Sequence, residues 1–123
     1  MKKLLIITIL VIIASVTTFL FKGGRAQVSQ SGTEHITELR NDGFYPKEFT
    51  IQKGDRVKFI TTRDEYFWPA SNLHPSHGIY PEFDPKEPIE AEESWSFRFD
   101  KAGNWRYHDH ISPYFSGVIE VRE

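Results

Sequence analysis

The sequence predicts an all-β sandwich or barrel behind an apolar leader. After residue 33 the chain shows no helical periodicity. Instead, short runs of β-branched and aromatic residues recur between Gly, Asp and Asn turn clusters. The aromatic share, 15%, is high for so short a chain, and such rings fill a core at ~150–250 Å² each.

The leader comes first. Lys2 and Lys3 precede Leu4–Phe21, an 18-residue run broken only by Thr8, Ser15, Thr17 and Thr18. A basic start before an apolar stretch is an export signal or a signal-anchor. A cleavable apolar region usually has ~7–15 residues and a membrane-spanning helix ~20. Length therefore favours an uncleaved N-terminal hydrophobic helix, a membrane anchor within residues 1–26, over a cleaved signal peptide. Lys22 and Arg25 place positive charge on the far flank as well, so orientation does not follow from charge. Residues 27–33 are small and polar and read as a linker. The folded part is then residues 34–123, a single domain.

Beyond the leader the chain keeps eleven basic and seventeen acidic residues, a formal charge of −6. That argues against nucleic acid as a partner, because phosphate binding needs a basic face. The chain has no cysteine. A small exported domain without disulfides relies on its core, aided where possible by a metal.

The expected strands follow in order. Ile36–Leu39 alternates and stops at Asn41-Asp42-Gly43. Phe49–Ile51 alternates and stops at Lys53-Gly54-Asp55, and Val57–Thr62 is a further strand. Trp95–Phe99 alternates strictly and ends at Lys101-Ala102-Gly103-Asn104. Trp105–His108 is its expected hairpin partner, and Val118–Val121 closes the chain. The connection from Arg63 to Glu93 carries Pro69, Pro75, Pro81, Pro85 and Pro88, so it holds no long central strand. Connections of this length are usually functional. Within it, Tyr66–Pro69 reads first as core and second as a hydrophobic shield for a metal. Tyr80–Pro85 reads equally as a stiff connector or a docking loop.

Four of the five histidines form two close pairs. His108 and His110 stand at i and i+2 on a strand end, so both point to one face and Asp109 to the other. His74 and His77 share a loop bent by Pro75, where i and i+3 converge on one ion. Imidazoles suit Cu, Zn, Ni and Fe, and Cu(II) binds tightest among the divalent ions. Asp109, Glu82 or Asp84 would fix the imidazole tautomers. His35 lies near the linker and is read as unrelated.

The motif order from Gly43 to Glu123 resembles the cupredoxin family. It runs Gly43-Phe44-Tyr45-Pro46, Phe49-Thr50-Ile51, Lys53-Gly54-Asp55-Arg56-Val57-Lys58-Phe59, Gly103–His108 and Gly117–Val121. The resemblance implies a Greek-key cupredoxin-like β-sandwich with a copper site. It also exposes a departure. Single-domain members read Tyr-x-Cys-x-x-His-x-x-Met-x-Gly where this chain reads Tyr107–Gly117. Asp109 replaces the thiolate, Ser112 the second histidine and Phe115 the axial methionine. A blue site needs a His₂Cys set, so that site is absent.

His108-Asp109-His110 resembles the His-Cys-His segment of multicopper oxidases, and His74-Pro75-Ser76-His77 their His-Pro-x-His segment. The single-domain register makes His77 the first copper ligand. The oxidase register turns His74 toward the blue-copper side and groups His77 with His108 and His110. His74, His77, His108 and His110 together define the expected site, for copper first and zinc second.

The expected function is copper carriage or buffering outside the cytosol, periplasmic or at the cell surface. Electron transfer, the usual family role, is the second reading, a copper enzyme with an open coordination position the third, and a metal-free interaction module the fourth. No nucleophile–base pair, phosphate loop or zinc-protease helix motif appears, which argues against an enzyme.

Overall fold

A computed structural model describes residues 32–123. The expected hydrophobic helix in residues 1–26 and all but the end of the linker lie outside the described residues. Eight strands follow in chain order: β1 (Glu34–Arg40), β2 (Gly43–Tyr45), β3 (Glu48–Gln52), β4 (Arg56–Thr61), β5 (Pro69–Ser71), β6 (Trp95–Arg98), β7 (Gly103–Asp109) and β8 (Ser116–Arg122). They form two four-stranded sheets, ordered β2-β1-β4-β6 and β3-β8-β7-β5. The β1–β4 and β3–β8 pairs are parallel and the others antiparallel.

The alternation explains which residues enter the space between the sheets. Thr37 and Leu39 of β1, Val57 and Phe59 of β4, and Ile119 and Val121 of β8 are buried, while their neighbours are at least partly solvated. Aromatic rings fill the middle. Phe83 lies near-parallel to Trp95 and Phe97, with centroids at 6.0 and 5.3 Å, and meets Phe99 edge-on at 5.0 Å. Phe59 and Phe44 both meet Tyr107 edge-on. Such offset and edge contacts add to simple area burial. Gly117 is required by this packing, since a Cβ there would lie 2.6 Å from the Tyr107 ring and from the Lys47 carbonyl oxygen.

One expected pairing is not found. β6 and β7 do not form a hairpin: β6 pairs with β4 in one sheet and β7 with β8 and β5 in the other. The Phe99 N–H donates to Asp55 O (2.9 Å), and Phe99 O accepts from the Gly54 N–H (2.8 Å). These bonds hold the end of β6 on its own sheet beside the β3–β4 turn. The residues up to Gly103 then cross the sandwich, so Phe97, Phe99 and Tyr107 reach one core from opposite sides.

Two strands escape a reading by pattern, β2 and β5, because each has three residues. β5 begins at Pro69 and lies on a sheet edge, where a residue without an N–H does least harm. The long connection around it is anchored to the core. Phe67, Tyr80, Phe83 and Ile89 are all buried, and Phe67 and Ile89 exchange backbone hydrogen bonds of 3.0 and 2.8 Å. The buried rings of Tyr80 and Phe83 favour the connector reading of Tyr80–Pro85.

Asp55 ties the linker end to the first sheet. Its carboxylate accepts from the Thr33 N–H (2.8 Å), the Gln52 N–H (3.0 Å) and His35 Nε2 (2.9 Å). Burial pushes its pKa up, but the bonds from His35, Gln52 and Thr33 outweigh it and leave the pKa below the ordinary carboxylate value. A carboxylate depressed on folding stabilises the native state above its unfolded pKa, and that contribution is lost as pH falls through the folded value. Asp55→Asn should therefore cost about 1–3 kcal/mol at pH 7 in urea unfolding. The gap to the parent should narrow as the pH is lowered below about 4. An equal loss at pH 7 and pH 3 would show that the carboxylate charge contributes nothing.

Candidate metal centre

The cluster sits where β7 ends beside β5 and the loop that follows it. Strand alternation sends Tyr107 and Asp109 into the interior and His108 to the opposite face. His110 lies just past the strand, and its N–H donates to Trp68 O (2.7 Å). The Trp68 N–H in turn donates to Asp109 Oδ1 (2.7 Å). This exchange fixes the spacing between the chain entering β5 and the chain leaving β7.

The loop after β5 folds back over this face. Ile79 N–H donates to Asn72 O (2.9 Å) and His77 N–H to Leu73 O (2.6 Å). His77 adopts φ 53°, the left-handed region that a β-carbon disfavours. Strain of that kind, about 1–3 kcal/mol, concentrates at functional positions. It turns the His77 ring inward, where the residue is 3% exposed.

One nitrogen from each of His74, His77, His108 and His110 lies within 4.8 Å of the others. His77 Nε2 and His110 Nδ1 are 2.9 Å apart, and His74 Nδ1 and His108 Nε2 are 3.3 Å apart. Metal–imidazole bonds of ~2.05 Å imply nitrogen–nitrogen separations of ~2.9 Å at right angles, ~3.3 Å in a tetrahedron and ~4.1 Å across a square. The two close pairs already match the first two values. With all four nitrogens within 4.8 Å of one another, the donor set fits a single ion. The structure places all four sequence-predicted histidines in one cluster, including His74, which the oxidase register turned to the other side.

Outer partners aim these nitrogens. His77 Nδ1 lies 2.7 Å from Asp84 Oδ2, and His108 Nδ1 lies 2.9 Å from Asn72 Oδ1. Both oxygens accept, so both rings carry hydrogen on Nδ1 and present Nε2 as a lone pair to the cluster. Burial, followed by repulsion from His77, His74 and His110, holds the His108 pKa down at about 4. Burial and repulsion from His77 and His74 likewise lower that of His110. A His108 pKa near 4 leaves that ring neutral at neutral pH, the state a ligand requires.

Asp84 also accepts from Trp68 Nε1 (2.8 Å) and from the Lys86 backbone N–H (2.8 Å). Its burial raises the pKa, but the bonds from His77, Lys86 and Trp68 prevail and hold it far below the usual carboxylate range. Asp84→Asn should keep the fold and lower metal affinity by about 10–100-fold, the usual cost of removing a carboxylate that orients a ligating histidine. Competition with a chelator measures this, and unchanged affinity would remove Asp84 from the site.

The other two carboxylates expected in that role do not reach it. Glu82 pairs with Lys101 at 3.2 Å. Asp109 is fully buried on the interior side, bonded to backbone N–H groups, with Arg63 Nη1 at 4.0 Å. Asp109 faces away from the cluster for the same alternation that brings His108 to it. Trp68 belongs with the cluster more than with the core. It is half-buried, and its ring lies 4.5 Å from that of His110 and 6.3 Å from that of His77. Sequence reasoning missed Asn72. Its only sequence signal is an amide two residues before His74.

Together, the two sheets define a β-sandwich with an imidazole-only cluster at the end of one sheet. No protein-family model and no curated protein matches the chain. Solved structures match its fold. The reduced W45Y mutant of amicyanin superposes with a TM-score of 0.62 at 20% identity, covering 79% of this chain and 88% of that one. A mutant plastocyanin of fern gives a TM-score of 0.58 at 17% identity, covering 72% of this chain and 100% of that one. A Cu-containing nitrite reductase from Thermus scotoductus SA-01 gives 0.60 at 25% identity over 72% of this chain, which spans only 22% of that protein. The chain has the cupredoxin fold and lacks the cysteine of a type 1 copper site.

Proposed function

We propose that this chain is an exported copper-binding protein that carries or buffers Cu(II) through His74, His77, His108 and His110. The observation that carries the reading is the convergence of four imidazoles, two of them preset by Asp84 and Asn72. The copper proteins among its structural neighbours support the choice of metal. Bound there, copper would supply a type-2-like Cu(II) centre without a thiolate band.

The residues divide the work. His77 and His108 offer Nε2 from fixed, buried rings. His110 and Trp68 pack ring against ring on the flank. Asp84 holds the His77 proton on Nδ1 and raises the basicity of Nε2. The signal-like start supports a location outside the cytosol, membrane-anchored where the leader is retained. Electron transfer is less favoured. In the single-domain register Asp109 stands where the thiolate would be, and the chain has no cysteine, so no thiolate tunes the couple.

The test is titration of the full chain in detergent micelles with Cu(II), followed by optical and EPR spectra. One equivalent should bind tightly with nitrogen-rich type-2 EPR features. Excess Zn(II) should not displace it, in keeping with the divalent affinity order. Weak binding without nitrogen couplings would sink the reading and leave a cupredoxin fold reused for protein interaction.

A further inference from the structure

We propose that His74 is the exchangeable ligand of this centre: copper enters and leaves as an incoming imidazole-type donor takes the place of His74. The inference rests on the copper reading above. It comes from an asymmetry among the four rings. Three are held by groups outside the cluster. His77 is bonded to Asp84 and His108 to Asn72, and both residues are 3% exposed. His110 lies against the Trp68 ring, and its backbone is bonded to Trp68 O.

His74 has no such holder among the described residues. Its one hydrogen bond runs from Nδ1 to His108 Nε2 (3.3 Å), a fellow member of the cluster. Its ring neighbours are His108 and His110, again members. The residue is solvent-exposed, and so are Leu73, Pro75 and Ser76 beside it. A ring fixed only by the ion and facing water is the one that can swing away at least cost, because no partner outside the cluster is broken. The other three keep their aim while it does. In the exchange one copper–nitrogen bond forms to the donor and the bond to His74 breaks. Copper stays divalent, no electron moves, and both imidazoles remain neutral. A receiving protein would therefore present an accessible histidine to this face.

His74→Ala in the full chain in detergent tests this, with free imidazole as the donor. The variant should still bind one Cu(II), with affinity lower by about a hundredfold (~2.7 kcal/mol). Its EPR spectrum should lose one nitrogen coupling and regain it on addition of imidazole. His77→Ala should not be rescued in this way. Complete loss of binding that imidazole fails to restore would overturn the proposal, since His74 would then be as indispensable as the buried rings. An EPR spectrum identical to the parent's would overturn it too, since His74 would then be no ligand. Failure of the copper reading looks different: the parent chain itself would bind no Cu(II).

Discussion

His108→Ala is expected to lower Cu(II) affinity by at least about a thousandfold, roughly 4 kcal/mol, and to erase the nitrogen-rich EPR signal. Three features concentrate the effect at this position. His108 lies near the end of a strand paired on both sides, so its backbone cannot shift to let another donor replace it. It is almost fully buried, so water is a poor substitute. Its Nε2 is aimed by the bond from Nδ1 to Asn72, the hydrogen bond that ties this ring to a group outside the cluster. Folding should survive, because the ring faces the cluster and not the aromatic core. Equal unfolding midpoints for the metal-free parent and variant would confirm that the lost affinity is ligand loss. Affinity within tenfold of the parent would exclude His108 as a ligand.

Phe83→Ala should give the largest loss of stability, about 3–5 kcal/mol, the usual cost of deleting a buried Phe ring. Phe83 is fully buried and meets Phe59, Trp95, Phe97, Phe99 and Tyr107, rings drawn from both sheets. It also precedes Asp84, and its carbonyl accepts from the Ser71 N–H (2.9 Å) in β5. The substitution thus loosens the loop that aims His77. Small domains hold about 5–15 kcal/mol in all, so this variant should unfold at markedly lower urea concentration than the parent. If copper binds only the folded form, saturating Cu(II) should recover about 2.7 kcal/mol at a hundred times the dissociation constant. A midpoint within about 0.5 kcal/mol of the parent would mean that the ring is not the centre of the core. Stability recovered fully by copper would mean that metal, not packing, dominates the fold.

Much of this architecture is legible along the chain. Strict alternation of apolar and polar residues in Trp95–Phe99 marks a strand, because a period of two puts one set of side chains on one face. The same rule sends His108 and Asp109 to opposite faces of β7, which is where they lie. The failures have a common cause. The expected β6–β7 hairpin rests on sequence proximity, whereas pairing is decided by bonds from Phe99 to the distant Gly54-Asp55 turn. Three-residue strands such as β2 and β5 carry too little pattern to register.

The amino-acid order by itself determined the strand faces, the absence of a thiolate and the two histidine pairs, since these depend only on residue identity and local backbone period. Tertiary structure decided between the two registers by bringing His74 to the same side as His77, His108 and His110. It also decided that Asp84 and Asn72, not Asp109 or Glu82, hold the rings, and that Trp68 lies against the site. These partners are brought together by the folding of a long connection onto the end of a sheet. Local periodicity carries no information about such contacts, because loop closure is set by what the buried rings of Phe67, Tyr80 and Phe83 meet across the core.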